Sequence, residues 1–155
     1  PTGQAQAGKR EGRKDLTAIM AEHNLVYVAQ ASISHWRDTV AKAEKAWEYS
    51  KEGPVFVNIL SPCHRGWRFP MEKTIEVARL AVRTRFWPLY EVEKGRWRIT
   101  VDVANPLPVT EWLKPQGRFA HLFRGEGNQE VLRAIQEDVD RQWAKLLRRC
   151  QGGAA

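Results

Sequence analysis

Gly53-Pro54-Val55-Phe56-Val57-Asn58-Ile59-Leu60-Ser61-Pro62-Cys63-His64-Arg65-Gly66-Trp67 is the stretch on which the fold turns. Gly53-Pro54 stops whatever precedes it, and Val55 to Leu60 is a mostly continuous apolar run, as expected of a central strand in a parallel sheet. In open α/β sheets ligands sit at the carboxyl ends of parallel strands, which makes the following loop, Ser61 to Pro70, the candidate site. It gathers Pro62, Cys63, His64, Arg65, Gly66 and Trp67, and it puts the Cys63 thiol where it can face a metal centre.

Upstream, Ser34 is placed to cap a helix running to about Ser50, in which Trp36, Val40, Ala43 and Trp47 recur at intervals of three or four residues. Val26 to Ala29 reads as a buried strand. Before it, Asp15 caps a short helix through His23, with Leu16, Ile19 and Met20 on one face and Asn24 at its exit. The first fourteen residues lack periodicity and read as a mobile or ligand-facing loop. The alternation of helix and strand predicts right-handed crossover units.

Downstream, a helix from Met71 to about Arg85 would turn Ile75, Ala78, Leu80 and Val82 inward. Leu89 to Glu93 and Arg96 to Val101 flank Lys94-Gly95 and predict a hairpin lying apart from the parallel sheet. A short helix over Val109 to Lys114 is stopped by Pro115. A last helix from about Asn128 to Arg149 carries Val131, Ile135, Val139, Trp143 and Leu146 on one stripe. The expected fold class is α/β, a mostly parallel sheet with crossover helices plus a C-terminal hairpin and helical extension. The expected division is residues 1–104 and 105–155.

At 155 residues, 43% apolar and with seven Trp, the chain can build a real core. Pro54 to Cys63, the longest uncharged apolar stretch, is too short to cross a bilayer, and no signal-peptide h-region opens the sequence, so a cytoplasmic location without membrane partners is expected. The first residue is Pro rather than Met, which is read as a fragment of a longer chain. Two cysteines are too few for a disulfide framework. The net charge of +7 suits an anionic partner without choosing among nucleic acid, a phosphorylated cofactor and an acidic protein.

Lone cysteines are more often small buried hydrophobes than ligands. Adjacent residues rarely ligate one ion, so Cys63 and His64 do not make a zinc site, and the chain cannot supply a Cys₄ set by itself. His23 and His121 read as capping or core residues, and Cys150 as an exposed bystander. Trp67 reads as packing that shields the loop from water. His64 and Arg65 would tune a nearby metal centre, meet an acidic partner or line a solvated loop. Arg141, Lys145, Arg148 and Arg149 form a solvated basic face, and nucleic acid is disfavoured because the aromatics lie on apolar stripes instead of among the basic residues.

Pro62-Cys63-His64-Arg65-Gly66-Trp67, then Thr74-Ile75-Glu76-Val77-Ala78-Arg79-Leu80-Ala81-Val82, then Phe86-Trp87-Pro88-Leu89-Tyr90-Glu91 occur in this order. Together with Gly12 to Met20, Tyr27 to Ser32 and Leu113 to Phe119, they resemble the thiamine-diphosphate-binding β subunit of the pyruvate:ferredoxin oxidoreductase family over nearly the whole chain. The resemblance implies the C-terminal half of a thiamine-diphosphate-binding fold. It also implies oxidative decarboxylation of pyruvate or a related 2-oxoacid to acyl-CoA and CO₂, with electrons passing through a [4Fe-4S] cluster to ferredoxin. By resemblance Cys63 matches the last of the four cluster cysteines, an electron-transfer role and not a nucleophile. The implied cofactors are thiamine diphosphate, Mg²⁺ and the cluster, with coenzyme A as cosubstrate and the other subunits of the complex and ferredoxin as partners. The family's Gly-Asp-Gly metal-diphosphate signature has no counterpart here, so most cofactor ligands are expected elsewhere, with Gly3, Gly8 and Lys9 at most bordering the diphosphate site. No catalytic residue is assigned. The rival expectation is a non-enzymatic basic module that binds nucleic acid or protein.

Overall fold

The computed structural model describes residues 12–124 and 128–152. Four strands form one sheet: β1 (Tyr27–Ser32), β2 (Val55–Leu60), β3 (Leu89–Glu93) and β4 (Arg96–Val101), in the spatial order β2-β1-β3-β4. β1 pairs in parallel with β2, Tyr27 opposite Val55 through Ser32 opposite Leu60. It pairs antiparallel with β3, and β3 antiparallel with β4. The sheet is therefore mixed, and the expectation of a mostly parallel sheet is corrected to one parallel pair and two antiparallel ones. The hairpin itself forms as predicted: Lys94 and Gly95 both take positive φ, 48° and 84°, as its two-residue turn requires. It does not lie apart, because β3 supplies the second neighbour of β1. The α/β class stands and is consistent with the C-terminal half of a thiamine-diphosphate-binding fold.

Every residue of β1 is buried, as befits a strand covered on both faces. On one face lies α2 (Trp36–Tyr49), which joins β1 to β2 and packs Ala46 and Tyr49 on Tyr27, Ala29, Val55 and Val57. On the other, α1 (Leu16–Ala21) and α6 (Gln129–Gly152) cover Val28, Phe56, Tyr90, Val92, Trp97 and Ile99 through Met20, Trp143 and Leu146. The largest apolar cluster lies where α4 (Thr74–Arg83), α5 (Val109–Leu113) and α6 meet: Val77, Ala81, Val82, Trp112, Leu113, Leu132 and Val139 pack there with Phe69, Trp87 and Leu89. Segments on either side of residue 104 thus share one core.

Several faces differ from the periodicity reading. The stripe Trp36, Val40, Trp47 on α2 points outward, with Trp47 71% exposed, while Lys42 and Ala46 face the sheet. The helix starts after His35 and not after Ser34, whose hydroxyl is hydrogen-bonded to Ser32 and His35 instead. On α1 the buried residues are Thr17 and Ala18, and Leu16 and Ile19 are exposed; Asp15 does cap this helix, accepting from Ala18 N at 3.1 Å. Ile75 on α4 and Val131 on α6 are also exposed, their places taken by Val77, Ala81 and Leu132.

Two polar assemblies interrupt the sheet's apolar faces. Beneath α2, Glu91 accepts from Tyr27 Oη at 2.8 Å, from Lys45 Nζ at 2.8 Å and from Arg98, while Lys42 donates to Asp38, Thr100 and the Gln30 carbonyl. Beneath α1, the register neighbours Gln30 and Asn58 meet Thr17, which donates to Gln30 Oε1 at 2.7 Å and accepts from Asn58 at 3.0 Å. Every one of these buried groups has a partner, the condition under which burial of polar atoms is tolerated.

Candidate functional site

The loop after β2 carries the candidate site. Pro62 is buried and anchors it, and Cys63 follows as the N-cap of α3 (His64–Trp67), a single turn. The Cys63 thiol is free and exposed, and its Sγ accepts from Gly66 N at 3.3 Å. The turn thus presents an accessible sulfur with one backbone N–H directed at it, and thiol sulfur is a ligand type for soft metals. His64 is half-buried and Arg65 exposed.

The turn closes on Trp67, whose N–H donates to the Cys63 carbonyl at 2.9 Å, and on Arg68, which takes the left-handed conformation at φ 58°. Trp67 is half-buried and packs edge-on against Trp112, ring centroids 6.0 Å apart at 89°. Its packing role is as expected. The 3₁₀ segment Gly117–Phe123 then lies across the end of the turn. Gly117 N donates to the Arg68 carbonyl at 2.8 Å, and a Cβ on Gly117 would stand 2.8 Å from Arg68 Cβ and 2.9 Å from its carbonyl oxygen. No side chain fits in that gap. Gly117→Ala is accordingly expected to destabilise by about 1–3 kcal/mol through overpacking and to increase protease cutting near Arg68, readable as a lowered denaturant midpoint.

Arg118 lies next to this contact. Its guanidinium carbon stands 3.8 Å from the Trp67 ring centroid and 4.6 Å from that of Phe119, and its Nε donates to Gln116 Oε1 at 2.9 Å. Burial pulls the Arg118 guanidinium down to about 10, which leaves it charged at neutral pH. No carboxylate lies within ion-pair distance of it among the described residues.

Cys63 is one accessible thiol, and among the described residues no group of three or more His, Cys, Asp and Glu could hold an ion. Cys150 belongs to the cluster beneath α6, where burial raises its thiol; it is half-buried, not the exposed bystander expected. The turn therefore fits as one corner of a shared cluster and not as a complete site. His23 and His121 are exposed and take no part in the core. Gly3, Gly8 and Lys9 lie outside the described residues.

Comparison with known proteins gives the turn a context. The chain is 44% identical over 147 residues to pyruvate synthase subunit PorB of Thermotoga maritima, covering 95% of this chain and 45% of that protein. It is 46% identical over 147 residues to the subunit of the same name from Methanocaldococcus jannaschii, covering 95% and 47%. Its homologues are PorB-type subunits. A third relative is the ketoisovalerate oxidoreductase subunit VorB of Pyrococcus furiosus, 36% identical over 148 residues, 94% of this chain and 45% of that one. The chain spans about half the length of the curated PorB and VorB relatives it matches. No family model matches it.

Gly117 and Arg118 are the site residues that motif reading passed over, since they stand in the phrase Lys114-Pro115-Gln116-Gly117-Arg118-Phe119 without any metal or phosphate signature. The available signal was an aromatic and an arginine directly after a glycine, too short to mean anything until the partner turn is seen.

Proposed function

We propose that this chain is the portion of a PorB-type subunit that lends Cys63 to an iron–sulfur cluster in a 2-oxoacid:ferredoxin oxidoreductase acting on pyruvate or a close relative. The observation that carries the reading is the exposed Cys63 thiol at the carboxyl end of β2, in a turn with an N–H on its sulfur. The similarity to subunits named for pyruvate and ketoisovalerate supports an oxidoreductase component over a basic nucleic-acid-binding module.

In this reading Cys63 holds one iron, Gly66 N–H stabilises its sulfur, and Trp67 keeps water from that side of the turn. Thiamine diphosphate with Mg²⁺, when bound in the whole subunit, supplies the electron sink for decarboxylation. Cys63 is a conduit for electrons and attacks no carbon. Coenzyme A and a ferredoxin complete the expected reaction, and other subunits of the complex are the expected partners. The proposed location of the complex is the cytoplasm; separately, no helix among the described residues is long and apolar enough to cross a membrane.

Cys63→Ala in the full-length subunit, assembled in its complex, tests this. Iron, acid-labile sulfide and electron paramagnetic resonance should show one cluster lost, together with 2-oxoacid-dependent ferredoxin reduction. An unchanged cluster content and rate would overturn the assignment.

A further inference from the structure

We propose that Arg118 is a positioning residue for the Cys63 turn: its guanidinium, stacked on Trp67, fixes the closing ring of the turn and holds there a positive charge that no carboxylate among the described residues pairs, raising the reduction potential of a cluster bound through Cys63. The proposal rests on the reading of Cys63 as a ligand.

Three contacts tie Arg118 to the turn. Its guanidinium lies 3.8 Å from the Trp67 ring centroid, close enough for a stacked cation–π pair. Gln116, fully buried, accepts from Arg118 Nε and so fixes the plane of the fork. Between them Gly117 is pressed against Arg68, the residue that follows Trp67, by a hydrogen bond of 2.8 Å. Trp67 is bonded back to the Cys63 carbonyl, which completes a path from the arginine to the sulfur-bearing residue.

Several basic groups elsewhere are paired with carboxylates, as Lys73 is with Glu76 and Lys114 with Glu111, both exposed. Arg118 is half-buried, ringed by Trp67, Phe119 and Trp112, and hydrogen-bonded to a neutral amide. A carboxylate would have served as well to orient it, and would have cancelled its field. Aromatic walls exclude solvent that would otherwise screen the charge.

The consequence is electrostatic. Reduction of a cluster adds one electron and one negative charge, supplied in turnover by the 2-oxoacid and in a titration by dithionite. A fixed positive charge nearby favours the reduced form, and charge is among the protein's levers on cluster potential.

The test uses the full-length subunit in its complex, with iron content measured alongside a potentiometric titration followed by electron paramagnetic resonance. Arg118→Lys keeps the charge and Arg118→Gln removes it. At full iron content the Lys variant should titrate close to the parent and the Gln variant at a more negative potential. Equal midpoints in all three proteins, or equal displacement of the Lys and Gln variants, would overturn the proposal. If the Gln variant fails to fold, Gln116→Glu sets a carboxylate against the guanidinium in place, and its midpoint should also move negative; an unchanged midpoint there would overturn the proposal too. Persistence of the cluster in Cys63→Ala would instead defeat the ligand assignment itself, a result that none of the Arg118 measurements can mimic.

Discussion

Glu91→Ala should cost about 3–5 kcal/mol of folding stability, the range for removing one partner from a buried charged network. The Glu91 carboxylate is buried between α2 and the sheet and receives Tyr27 Oη, Lys45 and Arg98. Its removal strands the Tyr27 hydroxyl, which is fully buried, while Lys45 and Arg98 can turn to Glu93 and to water. Glu91→Gln should cost less, because the amide oxygen still accepts from Tyr27. Burial by itself would raise the Glu91 carboxyl, but the hydrogen bonds from Lys45, Tyr27 and Arg98 outweigh it and hold the group down to about 2. A depressed carboxyl stabilises the fold above its unfolded value and loses that contribution as pH falls toward the folded one. The parent should therefore weaken between about pH 4.5 and pH 2, by on the order of 3 kcal/mol for this group, a slope that Glu91→Gln should flatten. Urea unfolding at pH 7 and pH 3 measures both effects, and a Gln variant as acid-sensitive as the parent would refute the assignment.

Trp112→Ala should be comparably damaging, about 3–5 kcal/mol, because it empties the centre of the largest cluster. The indole is 2% exposed, stacks on Phe86 with centroids 3.9 Å apart and braces Trp67 from the side. Its Nε1 has no hydrogen-bond partner among the described residues, so Trp112→Phe removes an unsatisfied donor while keeping the stack. The Phe variant should lose less than half of what the Ala variant loses. Thermal melts of the two in the whole subunit would show the ranking, and equal losses would mean that the indole's bulk, not its polar atom, decides the site. On the proposed reading of Cys63 as a ligand, loss of support beneath Trp67 should also lower iron retention in the Ala variant.

How much of this was legible depends on how far apart in sequence the contacting residues lie. The strand at Val55 to Leu60, the cap at Asp15 and the Lys94-Gly95 turn are local and form where the residues put them, but β2 stands at an edge of the sheet and is only half-buried, not the central strand its apolar run predicts, because β1 has β3 on its other side. On α2 the period was right and the direction wrong. A hydrophobic stripe shows that a helix has two faces, but here Lys42 turns inward because Asp38, Thr100 and the Gln30 carbonyl meet its ammonium, and Thr100 is too distant in sequence to foresee. The same holds for the hairpin: nothing local to Leu89–Glu93 signals that Tyr27, Lys45 and Arg98 gather around Glu91. Cys63 stands out by the density of unusual residues in its loop, whereas the contact of Gly117 with Arg68 joins segments far apart in the chain and leaves no trace in either segment alone.

That contact also bears on timing. The turn that presents the Cys63 sulfur is pinned by residues about fifty positions later in the chain, and at typical synthesis rates those residues leave the ribosome about 3–10 s after the turn does. During that interval the thiol is already outside the tunnel but its closing ring has nothing to rest on. On the proposed reading of Cys63 as a ligand, metal delivered to the nascent chain would meet an unset turn, and loading would follow translation past Phe119, as a step in maturation and not in folding.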